Sequence, residues 1–196
     1  MNEPIVTYLD AIRELCPRIT KAEMNYIQDG LSVTQLEAKH LYIHAGTVQN
    51  EIGFVFSGLL RAFYIDHKGR EITVNFIREG GYATHYSSFL AQTFCKYYFQ
   101  CIEPSVLVNL SYIHIQEGYN RFPGIERYGR LIAEQVLKAQ QKRLESFLFD
   151  TAEERYLAFV RENPNTFNRV SLTHLASYLG IERQSLTRIR NKLVRR

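Results

Sequence analysis

Residues 171–193 read SLTHLASYLGIERQSLTRIRNKL, and the second half of this segment gathers side chains suited to a polyanion. Arg183, Gln184, Ser185, Thr187, Arg188, Arg190, Asn191 and Lys192 occur without an intervening acid. Arginine can pair bidentately with guanine and glutamine with adenine, while other cations and hydroxyls can grip phosphates. Ser171 is placed to cap a helix, and its hydroxyl or the neighbouring backbone N–H groups could also meet a phosphate. The predicted chemistry is readout of base edges in a duplex groove, with contacts to its backbone.

Such readout needs two helices crossing closely. Leu175, Leu179, Ile181, Leu186, Ile189 and Leu193 supply apolar positions on both sides of the crossing, and Ala176 is small. Gly180 falls between the two helical stretches, where a turn requires a left-handed residue. The pattern predicts a helix-turn-helix. A plain helical hairpin with a solvated cationic face is the competing reading, and the acid-free second helix weighs against it.

Other chemistry finds less support. Cys16, Cys95 and Cys101 are odd in number and lack CxxC spacing, which disfavours a disulfide framework, a zinc site or an iron-sulfur cluster and predicts buried reduced thiols. His40 and His44 lie four apart in a strand-like segment, and His67, His85, His114 and His174 are dispersed, so no metal site is expected. There is no P-loop, no G-x-S-x-G elbow and no H-E-x-x-H, so catalysis is not expected.

The charge distribution agrees with a C-terminal polyanion site. Of 196 residues, 151–196 hold nine Lys and Arg against four Asp and Glu, leaving 15 against 16 in residues 1–150. Six of those cations, Arg183, Arg188, Arg190, Lys192, Arg195 and Arg196, lie from residue 183 onward. With 45% hydrophobic and 22% charged residues the composition is that of a folded globular chain. Asn2, Glu3 and Pro4 do not open an export signal, and no long uncharged apolar run occurs, so a cytoplasmic protein without a membrane segment is expected.

Ile5, Tyr8, Leu9, Ile12 and Leu15, then Met24 and Ile27, have helical spacing interrupted by Pro17, and Thr20 with Glu23 predicts a capping box. From Ser32 to about Leu110 the pattern changes to short Val, Ile, Phe and Tyr runs punctuated by glycine, which predicts an antiparallel barrel or roll. Asp66-His67-Lys68-Gly69 predicts a hairpin loop. Helix returns near Ile113, and 125–149 forms one long helix with two apolar faces. Ile125, Ile132 and Ala139 mark one face and Leu137, Leu144 and Leu148 the other, so the helix can pack on its own roll and on a partner. Thr151 with Glu154 caps a further helix that stops before Pro164. The expected fold is α+β: a roll flanked by helices over 1–124, a long helix over 125–150 and a helix-turn-helix unit over 151–196.

Nearly the full length resembles the Crp-Fnr transcription regulators, in the shorter form found in Bacteroidetes-like bacteria. Ile52-Gly53-Phe54-Val55-Phe56-Ser57-Gly58-Leu59-Leu60-Arg61, Asp66-His67-Lys68-Gly69-Arg70-Glu71-Ile72, Ala152-Glu153-Glu154-Arg155-Tyr156 and the terminal motif carry the resemblance. It implies a cyclic-nucleotide-binding-like roll of the jelly-roll type, a dimerisation helix, and a homodimer on a palindromic operator in double-stranded DNA. In the family's R-E-x-x-x-R pattern the arginines match Arg183 and Arg188, while Gln184 replaces the acid and should move preference from cytosine's amino group to adenine. The chain ends three residues after Leu193, so no β-hairpin wing is expected, and Arg195 and Arg196 are left to make such contacts.

The resemblance weakens at the effector pocket. His85-Tyr86 stand where the family has Gly-Glu, and Lys96-Tyr97 where it has Arg-Ser, so the ribose carboxylate is missing and a point charge replaces the phosphate-binding fork. Cyclic AMP is therefore disfavoured as effector, and a closed pocket is expected ahead of a site for another small molecule. Activation would need a surface for RNA polymerase, for which no motif is legible. The competing function is a ligand-binding roll that signals through protein partners.

Overall fold

The computed structural model describes residues 2–194, Val194 by its backbone alone. The chain opens with α1 (Glu3–Leu15) and α2 (Lys21–Asp29). The Thr20 hydroxyl accepts the Glu23 N–H at 3.3 Å while the Glu23 carboxylate accepts the Thr20 N–H at 2.7 Å, so the predicted capping box starts α2.

The strands are β1 (Leu31–Leu36), β2 (Leu41–Ile43), β3 (Glu51–Ser57), β4 (Leu60–Ile65), β5 (Glu71–Ile77), β6 (Tyr82–Ala83), β7 (Tyr98–Cys101) and β8 (Ser105–Ser111). They form two antiparallel four-stranded sheets, ordered β1-β8-β3-β6 and β2-β7-β4-β5. The period of two sorts their side chains. Val55 and Leu107 join Leu60, Ala62, Phe99 and Cys101 between the sheets, whereas their neighbours Phe54 and Val108 turn outward to meet Tyr8, Leu9 and Ile12 of α1. The roll and its flanking helices follow the expected α+β plan. In the β4–β5 hairpin the Asp66 carboxylate accepts the N–H groups of Lys68 and Arg70 at 2.8 and 2.9 Å, and Gly69 takes the φ of +75° that the turn requires. Cys16, Cys95 and Cys101 are buried and unpaired.

One helix interrupts the strand region unannounced. α3 (Tyr86–Ala91) is six residues long, too short for its periodicity to stand out in sequence. After β8 come α4 (Tyr112–Arg121) and the 27-residue α5 (Pro123–Phe149), which starts at Pro123, two residues ahead of the expected boundary, because proline suits the first helical turn. Ile125, Tyr128 and Ile132 are buried with α1 and α2. Ala139 does not continue that stripe: it is exposed, and Val136 is the last residue of α5 packed in this cluster. The second face is free, with Leu137, Leu144 and Leu148 at 67%, 60% and 66% exposure.

The C-terminal elements are α6 (Ala152–Glu162), α7 (Pro164–Phe167), α8 (Leu172–Leu179) and α9 (Arg183–Val194). Thr151 and Glu154 form the second capping box, and α6 ends before Pro164 as proline dictates. A separate core of Tyr156, Phe159, Leu175, Ala176, Leu179 and Leu186 holds these helices together. Among the described residues no helix is long and apolar enough to cross a membrane, and no group of three or more His, Cys, Asp or Glu side chains could hold a metal ion.

Candidate nucleic-acid interface

The turn between α8 and α9 is built as its residues require. The Ser171 hydroxyl accepts the His174 N–H at 3.1 Å and starts α8. Gly180 ends it at φ +70°, and a Cβ there would stand 2.8 Å from the Phe147 ring, so both backbone and space demand glycine. Leu175, Ala176 and Leu179 on α8 and Leu186 on α9 are buried at the crossing, with Ile181, Ile189 and Leu193 partly buried around them.

Burying that stripe turns the opposite face of α9 outward. Arg183, Gln184, Thr187, Arg188 and Asn191 share it at helical spacing, and all five are exposed. The Thr187 hydroxyl donates to the Arg183 carbonyl at 3.1 Å, leaving its oxygen free to accept. Three other predicted contacts lie at the margins. Ser185 and Arg190 are half-buried, with the Arg190 guanidinium 5.9 Å from the Phe167 ring centre. Lys192 is exposed, and its ammonium is 2.6 Å from a Glu153 carboxylate oxygen. Arg195 and Arg196 lie outside the described residues.

What fixes this face in space was not foreseen from the sequence. α8 lies along β5, the edge strand of the second sheet. The Ser177 hydroxyl accepts the Thr73 N–H at 2.9 Å and faces the Glu71 carbonyl at 3.4 Å, satisfying edge groups that an open strand would leave bare. Phe76 of β5 packs on Tyr178 and Phe159, with ring centres 5.2 and 6.0 Å apart. At the end of α8 the Arg143 guanidinium donates to the Tyr178 carbonyl at 2.8 Å, and Arg155 donates to the Leu179 carbonyl at 3.1 Å. These cations meet the negative pole of the helix. Between α7 and α8, Arg169 donates to both oxygens of Glu79, at 3.0 and 2.8 Å, and to both of Glu103. The hydrogen bonds from Arg169 hold the Glu79 carboxyl below the ordinary carboxylate range.

The four residues predicted at the effector pocket divide between two places. His85 precedes α3, with Nδ1 2.6 Å from the Ser88 hydroxyl and Nε2 3.3 Å from that of Ser87, and its ring meets Tyr97 edge-on at 4.8 Å. Burial, then the Lys96 charge, lowers the His85 pKa and favours the neutral ring. Lys96 itself is exposed. Tyr86 points elsewhere: its hydroxyl is 3.5 Å from the Gly129 carbonyl of α5, beside a small cavity of about 50 Å³ that Tyr8, Tyr82 and Tyr128 also line.

Solved structures that share this architecture include transcription regulators of the Crp-Fnr family and cAMP-bound regulatory domains of protein kinase A. The chain is similar to the c-di-GMP-responsive global regulator CLP of Xanthomonas campestris, with a TM-score of 0.70 and 15% identity over 89% of this chain and 91% of that one. FixK2 of Bradyrhizobium japonicum gives 0.71 at 13% identity over 83% and 84%. The catabolite activator protein of Thermus thermophilus gives 0.57 at 17% identity over 92% and 86%. At such identities the likeness establishes the fold. No family model matches the chain, and neither does any curated protein.

Proposed function

We propose that the chain is a sequence-specific DNA-binding transcription regulator of the Crp-Fnr type that acts in the cytoplasm as a homodimer on a pseudo-palindromic operator. The observation that carries this reading is the outer face of α9, where Arg183, Gln184, Thr187, Arg188 and Asn191 stand exposed on a helix without an acid. Arg183 and Arg188 are assigned to guanine edges and Gln184 to adenine. Ser171, Ser185, Thr187, Arg190 and Lys192 are assigned to the backbone, with Lys192 exchanging Glu153 for a phosphate.

The operator architecture comes from α5. Leu137, Leu144 and Leu148 repeat at steps of seven and four along its exposed face, the spacing of a two-helix seam. Pairing two copies there makes residues 125–150 the dimerisation segment between a sensor roll, 1–124, and a DNA-binding unit, 151–196. Two recognition helices then enter successive major grooves about 34 Å apart. The shared fold with CLP, FixK2 and the Thermus activator supports this plan.

Cyclic AMP is not the effector in this reading. The place of the ribose-binding acid is taken by Tyr86, which is directed towards α5, and the preceding His85 ring is already engaged with Ser87 and Ser88. Selection of bound sites from random duplex DNA, with and without cyclic nucleotides, tests the proposal: one palindromic motif should emerge, and cyclic AMP should leave its enrichment unchanged.

A further inference from the structure

A dimer that reads two half-sites must hold its two recognition helices at a fixed separation and angle. The covalent link from the roll to the C-terminal helices is a single strand of chain at Asp150, extended at φ −91° and ψ 143° between α5 and α6. A lone link of that kind permits swivelling, so the orientation of α9 depends on non-covalent contacts. Those contacts grip α8 along its length. Arg143 of α5 holds the Tyr178 carbonyl near its end, Ser177 bridges it to the edge of β5, and Arg169 ties the segment before it to the roll. α8 in turn fixes α9 through Leu175, Leu179 and Leu186.

Among these anchors Arg169 engages two loops of the roll at once. Its partners belong to two different loops, Glu79 between β5 and β6 and Glu103 between β7 and β8, 90 and 66 residues away. The Arg169 side chain is 23% exposed, and its planar fork faces one carboxylate on each side. Glu79 is itself fixed, because it accepts the Gly58 N–H at 3.0 Å. A lysine could offer the charge but not the fork.

We propose that Arg169 is a positioning residue for DNA recognition: clamped between Glu79 and Glu103, it sets the orientation of α9 relative to the roll and thereby the half-site spacing that the dimer accepts. It touches no base or phosphate itself. This inference rests on the DNA-binding reading above. One extra base pair between half-sites moves the second by about 3.4 Å and turns it by about 35°. A clamped unit cannot follow such a change, whereas a unit free to swivel can.

The test measures binding of the full chain to duplexes that carry one half-site sequence in palindromes of varied central spacing. Wild type should prefer its best spacing over the next by about tenfold or more, the usual scale of a misplaced base contact. In R169A that preference should fall to about threefold or less, the affinity equivalent of losing one such restraint, with the preferred half-site bases unchanged. R169K should fall between, and so should E103Q, which takes the charge and one acceptor oxygen from one arm of the clamp and leaves the Gly58 bond to Glu79 in place. Hydrogen exchange at the Thr73 amide reports docking independently and should quicken in R169A by about tenfold. Wild-type spacing preference in R169A while the Thr73 amide loses protection would overturn the proposal, and so would unchanged protection of that amide. If wild type itself bound no palindrome better than random duplex, the DNA-binding reading would fail, and this inference with it.

Discussion

Arg183 and Lys192 both lie on the cationic helix α9, yet their surroundings differ. Arg183 is exposed on the outer face, and among the described residues no ion pair of its side chain has to break before it meets a base. Lys192 sits at the margin against Glu153 and would have to leave that carboxylate before meeting a phosphate. R183A should therefore cost about 1–3 kcal/mol on the preferred site and relax the preference at one base position. K192A should weaken all sequences evenly and lower the slope of log affinity against log salt by about one. Parallel titrations of both variants on specific and random duplexes check this. Residues of this kind were legible in sequence because their meaning is local: charge type, helical spacing, and the capping serine and threonines three residues from their partners. Arg169, Ser177, Arg143 and Arg155 were not legible. Their partners are between 24 and 106 residues away in sequence, and nothing in the local pattern announces such a pairing.

At the scale of elements, α5 serves two surfaces at once. Its first half is an ordinary amphipathic helix on the roll, while its second half presents leucines to solvent at exposures that a lone chain has no reason to keep. L144E should leave the fold intact, since the side chain is 60% exposed, and should shift the chain from dimer to monomer in sedimentation equilibrium. A dimer that persisted in L144E with unchanged affinity would remove α5 from the interface. The sequence pattern disclosed both faces of this helix, but it extended the inner one to Ala139, because a heptad count cannot show where the packing beneath a helix ends. The roll was recognisable from its short β-rich runs and turn glycines. α3 was hidden among them, being six residues in a stretch of aromatic and hydroxyl side chains without a usable period.

For the whole molecule, the decisive feature is that the α8–α9 pair is docked on the roll. Long-range contacts of that kind are set by tertiary packing, and the sequence pattern reached only the separate units. The docking should be sensitive to acid. Arg169 holds Glu79 below its ordinary pKa, and Lys142 does the same for Glu162, so the unfolded chain binds protons more readily than the folded one at these sites. Their contribution to stability is complete above the ordinary carboxylate range and is lost as pH falls through the folded values. The unfolding midpoint should therefore drop between about pH 5 and pH 3, and E79Q should be less stable at neutral pH with a shallower acid dependence. Thermal melts of both proteins across that range decide the matter.

The central claim is that the exposed face of α9 reads DNA sequence on behalf of a dimer. Selection from random duplexes by wild type and R183A tests it most directly. Wild type should recover a pseudo-palindrome with half-sites about one helical turn apart, and R183A should lose preference at one symmetric pair of positions while keeping the rest. A wild-type pool without an enriched palindrome at any salt concentration, or an R183A pool identical to wild type, would contradict the account.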